Sequence, residues 1–205
     1  MTVNHLCLFK QVVLLLLVLS SSLPSLSLFA APGLQDSTLF DVPHLLSLRE
    51  EVRNVFFHSY NSYLTYGYPY DEVLPISCKS RRHDQRERGT LDDVLGGYYL
   101  TLIDSLDTLL VMREFNRFGE ALQLLANVSF SSDVDVSVFE VNIRIVGGLL
   151  AAHQLALTMK ESLNGSYDGH SLLRMAEDIT RRILPAFATK TGIPIHRCIS
   201  QFFSL

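Results

Sequence analysis

Apolar positions recur at helical spacing in five places along the chain. Asp41, Val42 and Pro43 set an N-cap carboxylate before a first-turn proline. Leu45, Leu48, Val52, Val55, Phe56, Tyr60 and Tyr63 follow at helical intervals, predicting one helix to about Tyr66 that is apolar on one face. The pattern resumes with Leu100, Ile103, Leu106, Leu109 and Leu110, and again with Phe115, Phe118, Leu122 and Leu125. A further run goes from Val138 through Val141, Ile145, Leu149 and Leu155. The last takes Leu172, Ala176, Ile179 and Ile183 and stops at Pro185. No stretch shows sustained strand alternation, so the predicted fold class is all-α, built from successive antiparallel helix pairs. Such pairs bury their apolar faces on neighbouring pairs, as in solenoids and closed toroids. Five helices make an arc that is open where the next pair would dock. Residues 67–89, with Pro69, Pro75 and many charges, predict a long loop, and loops of that length are commonly functional or mobile.

The N-terminus reads differently. One cation, Lys10, precedes the eight-residue apolar run Val12–Leu19, and Ser25, Ser27, Ala30 and Ala31 follow around a cleavage point. That order predicts a signal peptide over 1–31 and a linker over 32–43. An uncleaved signal anchor, the only route to a membrane here, is the alternative; the run is shorter than the roughly 20 residues a span needs. No other stretch reads as apolar enough to cross a bilayer. About 175 residues remain, room for one ordinary domain. The formal charge is −4, and the basic stretch Lys79–Arg88 is interrupted by Asp84 and Glu87, so nucleic acid is not an expected partner. Cys7 falls in the signal. Cys78 and Cys198 either pair or leave Cys78 without its partner. Asn127-Val-Ser129 and Asn164-Gly-Ser166 are acceptor sequences for N-glycans.

Two polar groupings interrupt the apolar faces. Asp104 and Asp107 lie three apart and share a helix surface with Thr101 and Thr108; Glu140 and Arg144 lie four apart among flanking positions that are nearly all apolar. Arg144 is placed to fix the rotamer of Glu140 and bias its ionisation. Gly147 and Gly148 follow one turn later and permit close approach of a helix or a ligand. On spacing alone structural ion pairing is favoured over catalysis for these groups, since such pairs are common on helices. Tyr60, Tyr63, Tyr66, Tyr68 and Tyr70 cluster at the end of the first helix, as an aromatic core or, less favoured, a surface for sugars. His58 and His153 stand singly, and no nucleophile triad, phosphate loop or Cys-x-x-Cys is present. What remains is acid–base chemistry by carboxylates, as glycosidases use it.

The stretches FHSYNSYLTY (57–66), DEVLPIS (71–77), SLDTL (105–109) and VFEVNIRIVGGLL (138–150) closely resemble the class I α-1,2-mannosidases, glycoside hydrolase family 47. LPISC (74–78) and GYYLTLID (97–104) are most similar to its ER degradation-enhancing, mannosidase-like branch. The match runs in consecutive order over 44–194. The resemblance implies seven helix pairs closed into an (αα)7 barrel, of which this chain carries about the first five helices. It implies calcium at the barrel floor and inverting removal of terminal α-1,2-mannose from high-mannose N-glycans of misfolded glycoproteins, in the ER lumen. It assigns Glu140 as proton donor, acting directly or through a water, Arg144 as its brace, and Asp104 and Asp107 as support for the site floor. An ER oxidoreductase is admitted as a further partner.

In the family the second carboxylate, another catalytic Asp and the calcium-binding Thr come from later helices. None has a counterpart here, so no residue of this chain is assigned to the metal. Residues 195–205 show neither motif nor pattern and read as a tail outside the family. The expectation is therefore an incomplete, inactive and poorly stable form of a mannosidase. A non-catalytic, lectin-like binder of mannose glycans or misfolded glycoproteins is the alternative, and a splice product without independent role a third.

Overall fold

In the computed structural model, residues 41–82, 96–131 and 134–199 are described. The signal peptide, most of the linker, the end of the basic stretch and the last residues of the tail lie outside them. The chain divides into Met1–Asn61 and Ser62–Leu205.

In the first unit, α1 (Val42–Ser62) begins where the sequence places it: the Asp41 carboxylate accepts the His44 backbone N–H at 2.9 Å. Phe56 stacks on Tyr60 with ring centroids 5.5 Å apart, and both are buried. The helix winds on into a π-helical turn, Tyr63–Gly67. Tyr63 is buried and its hydroxyl donates to the Tyr70 carbonyl at 2.8 Å, whereas Tyr66 is exposed. Tyr60 and Tyr63 are thus packing, Tyr68 and Tyr70 are half-buried, and Tyr66 faces solvent.

Among its described residues the second unit is helix-rich with four short strands, so the all-α expectation holds in the main but misses two small ribbons. β1 (Val73–Leu74) pairs antiparallel with β2 (Lys79–Ser80), giving structure to part of the expected loop. Then come α2 (Leu100–Asp104), α3 (Leu106–Val111) and α4 (Phe115–Leu125). β3 (Asp135–Ser137) leads directly into α5 (Val138–Thr158), whose segment Val141–Val146 is π-helical. α6 (Ser171–Ile183) runs into a single 3-10 turn at Pro185. β4 (Arg197–Ile199) returns to pair antiparallel with β3, with Val136 opposite Cys198.

The core forms where α5 meets α2, α3 and α6. Leu102, Ile103, Leu106, Leu109, Leu110, Phe118, Ile145 and Leu149 are each fully buried. Gly148 is what lets α5 and α2 approach: a Cβ there would sit 3.3 Å from Ile103 Cγ2 and 3.4 Å from the Ile103 carbonyl oxygen. Gly148 thus serves helix packing. By length and composition, Val138–Thr158 is also apolar enough to cross a membrane, which corrects the expectation that nothing beyond the N-terminal run is. Its apolarity has another use here. Val141, Ile145, Leu149, Ala152 and Ala156 are buried in the protein, as in a core helix.

Candidate active site

The carboxylates stand on two elements, and each is placed for a local reason. Ser137 is the N-cap of α5; its hydroxyl accepts the Glu140 backbone N–H at 3.4 Å and starts the helix with Glu140 in the first turn. The backbone then widens into the π-helical stretch that carries Arg144, an irregularity often found at functional sites. Arg144 Nε donates to Glu140 Oε2 at 2.7 Å, and Arg144 Nη1 reaches Asp104 Oδ2 at 3.5 Å. One guanidinium therefore gathers a carboxylate from its own helix and one from α2. The side chains of Arg144, Glu140 and Asp104 are 23%, 27% and 37% exposed, so the cluster sits at a half-buried surface that a ligand can reach. Burial alone would lower the Arg144 pKa. The hydrogen bond to Glu140 and the charges of Asp104 and Glu140 outweigh it, and the guanidinium is held firmly charged.

Asp107 is not part of this cluster. Its carboxylate takes a hydrogen bond from the Thr108 hydroxyl at 3.3 Å and pairs with no cation among the described residues. Burial pushes its carboxyl above the usual range, with Thr108 donors pulling the other way. The sequence places Asp104 and Asp107 on one surface, but the helix breaks between them. Ser105 Oγ donates back to the Thr101 carbonyl at 2.6 Å, α2 ends at Asp104, and α3 starts at Leu106.

Asp71, which the sequence presents only as one letter of a motif, turns out to hold α2 in place. It is 2% exposed. Its Oδ1 accepts the backbone N–H groups of Tyr98 at 2.8 Å and Leu100 at 3.0 Å, and its Oδ2 that of Gly97 at 2.8 Å. Its backbone carbonyl accepts the Thr101 hydroxyl at 2.7 Å and the Thr101 N–H at 3.1 Å. Tyr99, at the N-cap of α2, is held in the left-handed region with φ of 59°. Asp71 thus fixes the one-turn helix whose last residue, Asp104, meets Arg144. No local sequence signal marks this, because the partners lie 26 to 30 residues away.

The tail is the second feature the sequence reading missed. Val138 N–H donates to the His196 carbonyl at 3.0 Å, and Arg197 Nε pairs with Asp135 Oδ2 at 2.8 Å. Residues after Pro194 therefore brace the entry to α5, a strand too short for its alternation to be read. Cys78 and Cys198 are both free thiols, the first exposed and the second buried. Asn127 and Asn164 are exposed in turns that follow α4 and α5. His153 is occupied by Tyr167, with Nδ1 and Oη 2.7 Å apart.

The profile of glycosyl hydrolase family 47 matches residues 55–201. The chain is 43% identical over 160 residues to ER degradation-enhancing alpha-mannosidase-like protein 3 of Homo sapiens, covering 76% of this chain and 17% of that protein. It is 39% identical over 171 residues to ER degradation-enhancing alpha-mannosidase-like protein 1 of Saccharomyces cerevisiae, covering 79% and 21%. The fold is similar to that of alpha-1,2-mannosidase from Trichoderma reesei, with a TM-score of 0.66 and 26% identity over 77% of this chain and 31% of that one. The chain thus spans a minor part of each relative's length. The match over most of its own length, together with the Glu140–Arg144 wall, makes it a member of glycosyl hydrolase family 47.

Proposed function

We propose that this chain supplies the acid-bearing wall of an α-1,2-mannosidase that trims high-mannose N-glycans of misfolded glycoproteins in the ER lumen. The observation that carries it is the ion cluster at a half-buried surface: Glu140 held at 2.7 Å by Arg144, which also reaches Asp104. Glu140 is the proton donor to the leaving sugar oxygen, directly or through a water. Arg144 fixes its rotamer, so that no orientation has to be found as the glycosidic bond breaks. Asp104 steadies Arg144 from α2, and Asp107 supports the floor beside it. Inversion further requires a carboxylate across the sugar, roughly 6.5–9.5 Å from the acid, to activate water. Asp104 leans on the same guanidinium as Glu140 and belongs to the same wall, so it is not that base. The described residues thus supply the acid half of the reaction.

Calcium, implied by the family resemblance, prefers six to eight oxygen ligands. Glu140 and Asp104 are committed to Arg144, and the described residues offer no group of three His, Cys, Asp or Glu side chains suited to a metal. They do not fit the ion.

The test is a chimera in which residues 44–194 replace the matching segment of a full-length relative, assayed for mannose release from a high-mannose glycan in calcium. The chimera is expected to be active and to lose about 10²–10⁴-fold in rate with Glu140→Gln. Activity indifferent to that substitution would remove Glu140 from the acid role. The isolated chain is expected to release no mannose. Glycan binding by the isolated chain, unchanged by Glu140→Gln, would favour the lectin-like alternative.

A further inference from the structure

Away from the acid wall, α4 and α6 leave between them a groove of about 320 Å³. Its floor is apolar, from Leu122, Leu125, Val128 and Met175, and its rim is charged, from Arg174 and Asp178. The rim charges are already oriented: Arg174 pairs with Asp168 at 2.8 Å, and Asp178 takes Arg182 Nε at 3.1 Å. An apolar floor under a rim of fixed donors and acceptors suits a pyranose, which has one C–H face to lay on hydrocarbon and hydroxyls around its edge.

One position decides which sugar. Asn127, the acceptor of the sequence Asn127-Val-Ser129, is exposed and lies between Ala126 and Val128, both of which line the groove. Its turn is set by the Val128 N–H donating to the Leu125 carbonyl at 3.1 Å, so the attachment point is fixed relative to the floor. We infer that Asn127 carries an N-glycan whose first N-acetylglucosamine lies in the α4–α6 groove, covering its floor and tying the end of α4 to α6. Because the sugar is tethered at the mouth of the groove, its effective concentration there is high and weak contacts suffice. A ligand that binds only the folded form stabilises it, and a covalently attached one does so without being diluted away. The inference rests on the lumenal reading above, since the modification needs that compartment.

The full chain is to be produced in cells with an active secretory pathway. Occupancy at Asn127 is read by mass before and after complete deglycosylation, alone and with Ser129→Ala. Hydrogen exchange of the 172–178 amides and the melting temperature are then compared for three forms: glycosylated, trimmed to a single N-acetylglucosamine, and sugar-free. The expected result is full occupancy, with protection and melting temperature kept by the single-sugar form and lowered in the sugar-free form. In a Met175→Ser background that difference should collapse. Occupancy with identical exchange and melting in all three forms overturns the groove assignment. A bare Asn127 overturns the inference as a whole. Whether Asn164 is modified in the same chain then tells the two failures apart, because a glycan there upholds the lumenal compartment and its absence takes that reading down as well.

Discussion

Two regions of this molecule use the same two devices in different surroundings. The α2–α5 region has a capping aspartate, Asp71, and a carboxylate–arginine pair four residues apart, Glu140–Arg144. The α6 region has a capping aspartate, Asp168, which accepts the backbone N–H groups of His170 at 2.9 Å and Ser171 at 2.7 Å, and two pairs at the same spacing, Glu177–Arg181 and Asp178–Arg182. Read as spacing, the two regions are alike. They differ in burial and in reach. Asp71 is buried and its partners come from a distant segment, whereas the Asp168 side chain is 49% exposed and bonds only to its neighbours. Arg144 is 23% exposed and joins two elements, whereas Arg181 is 67% exposed and stays on one helix. The carboxylate–arginine spacing is thus a helix ornament at Glu177–Arg181 and a candidate for chemistry at Glu140–Arg144, where the third partner, Asp104, makes the difference; Arg182, only 15% exposed, is the buried arginine of α6 and stands outside this contrast.

The contrast in caps is the sharper one to break. Asp71→Ala leaves three backbone N–H groups without their acceptor, two of them, those of Tyr98 and Leu100, buried. A loss of about 2–4 kcal/mol in unfolding free energy is expected, from a lost cap plus unsatisfied buried donors. Asp168→Ala should lose only about 0.5–1 kcal/mol, because water can replace the carboxylate. Chemical denaturation of the two variants measures this, and equal losses would show that burial does not separate the caps. Next in size come the arginines. Arg144→Met keeps the length but takes from Glu140 and Asp104 the cation they share, for an expected loss of about 1–3 kcal/mol. Arg181→Met should stay within about 0.5 kcal/mol of the parent. A silent Arg144→Met would return Glu140–Arg144 to the class of surface pairs.

How far this contrast was legible beforehand follows from the range of the interactions. The five helices were readable because their apolar positions repeat every three or four residues, and the Asp41 cap and the stop at Pro185 are local signals of the same kind. The pairing of Glu140 with Arg144 was readable for the same reason. Asp104 joins them across 40 residues, and spacing alone carries no trace of that; only the family motif set it near the site. The break at Ser105 depends on a hydroxyl choosing the Thr101 carbonyl, and the π-helical turn after Glu140 on packing that a periodicity smooths over. β1, β2, β3 and β4 have two or three residues each, fewer than an alternation needs to declare itself. Asp71 was hidden for the opposite reason to Glu140: its whole function lies in partners far along the chain.

The smallest effect separates two aspartates by the sign of their response to pH. Burial raises the Asp107 pKa in the fold above the roughly 3.9 of an unfolded chain. Its ionisation therefore costs the native state; the penalty is complete above the folded pKa and vanishes below the unfolded one. Asp168 runs the other way. The His170 and Ser171 N–H groups, with Arg174 adding to them, hold it well below the usual carboxylate range. Its contribution is complete above about pH 4 and is withdrawn as the pH falls from there towards its folded pKa. Asp107→Asn should accordingly unfold later than the parent at pH 7 and lose that advantage on acidification to about pH 3. Asp168→Ala should unfold earlier at pH 7 and draw closer to the parent in acid. Denaturant midpoints for parent and variants between pH 3 and 7 decide it: the two differences must shrink from opposite sides. Should both variants instead run parallel to the parent, neither carboxylate is perturbed by its setting. The half-buried setting of Asp107 would then be no different, electrostatically, from the exposed end of α6.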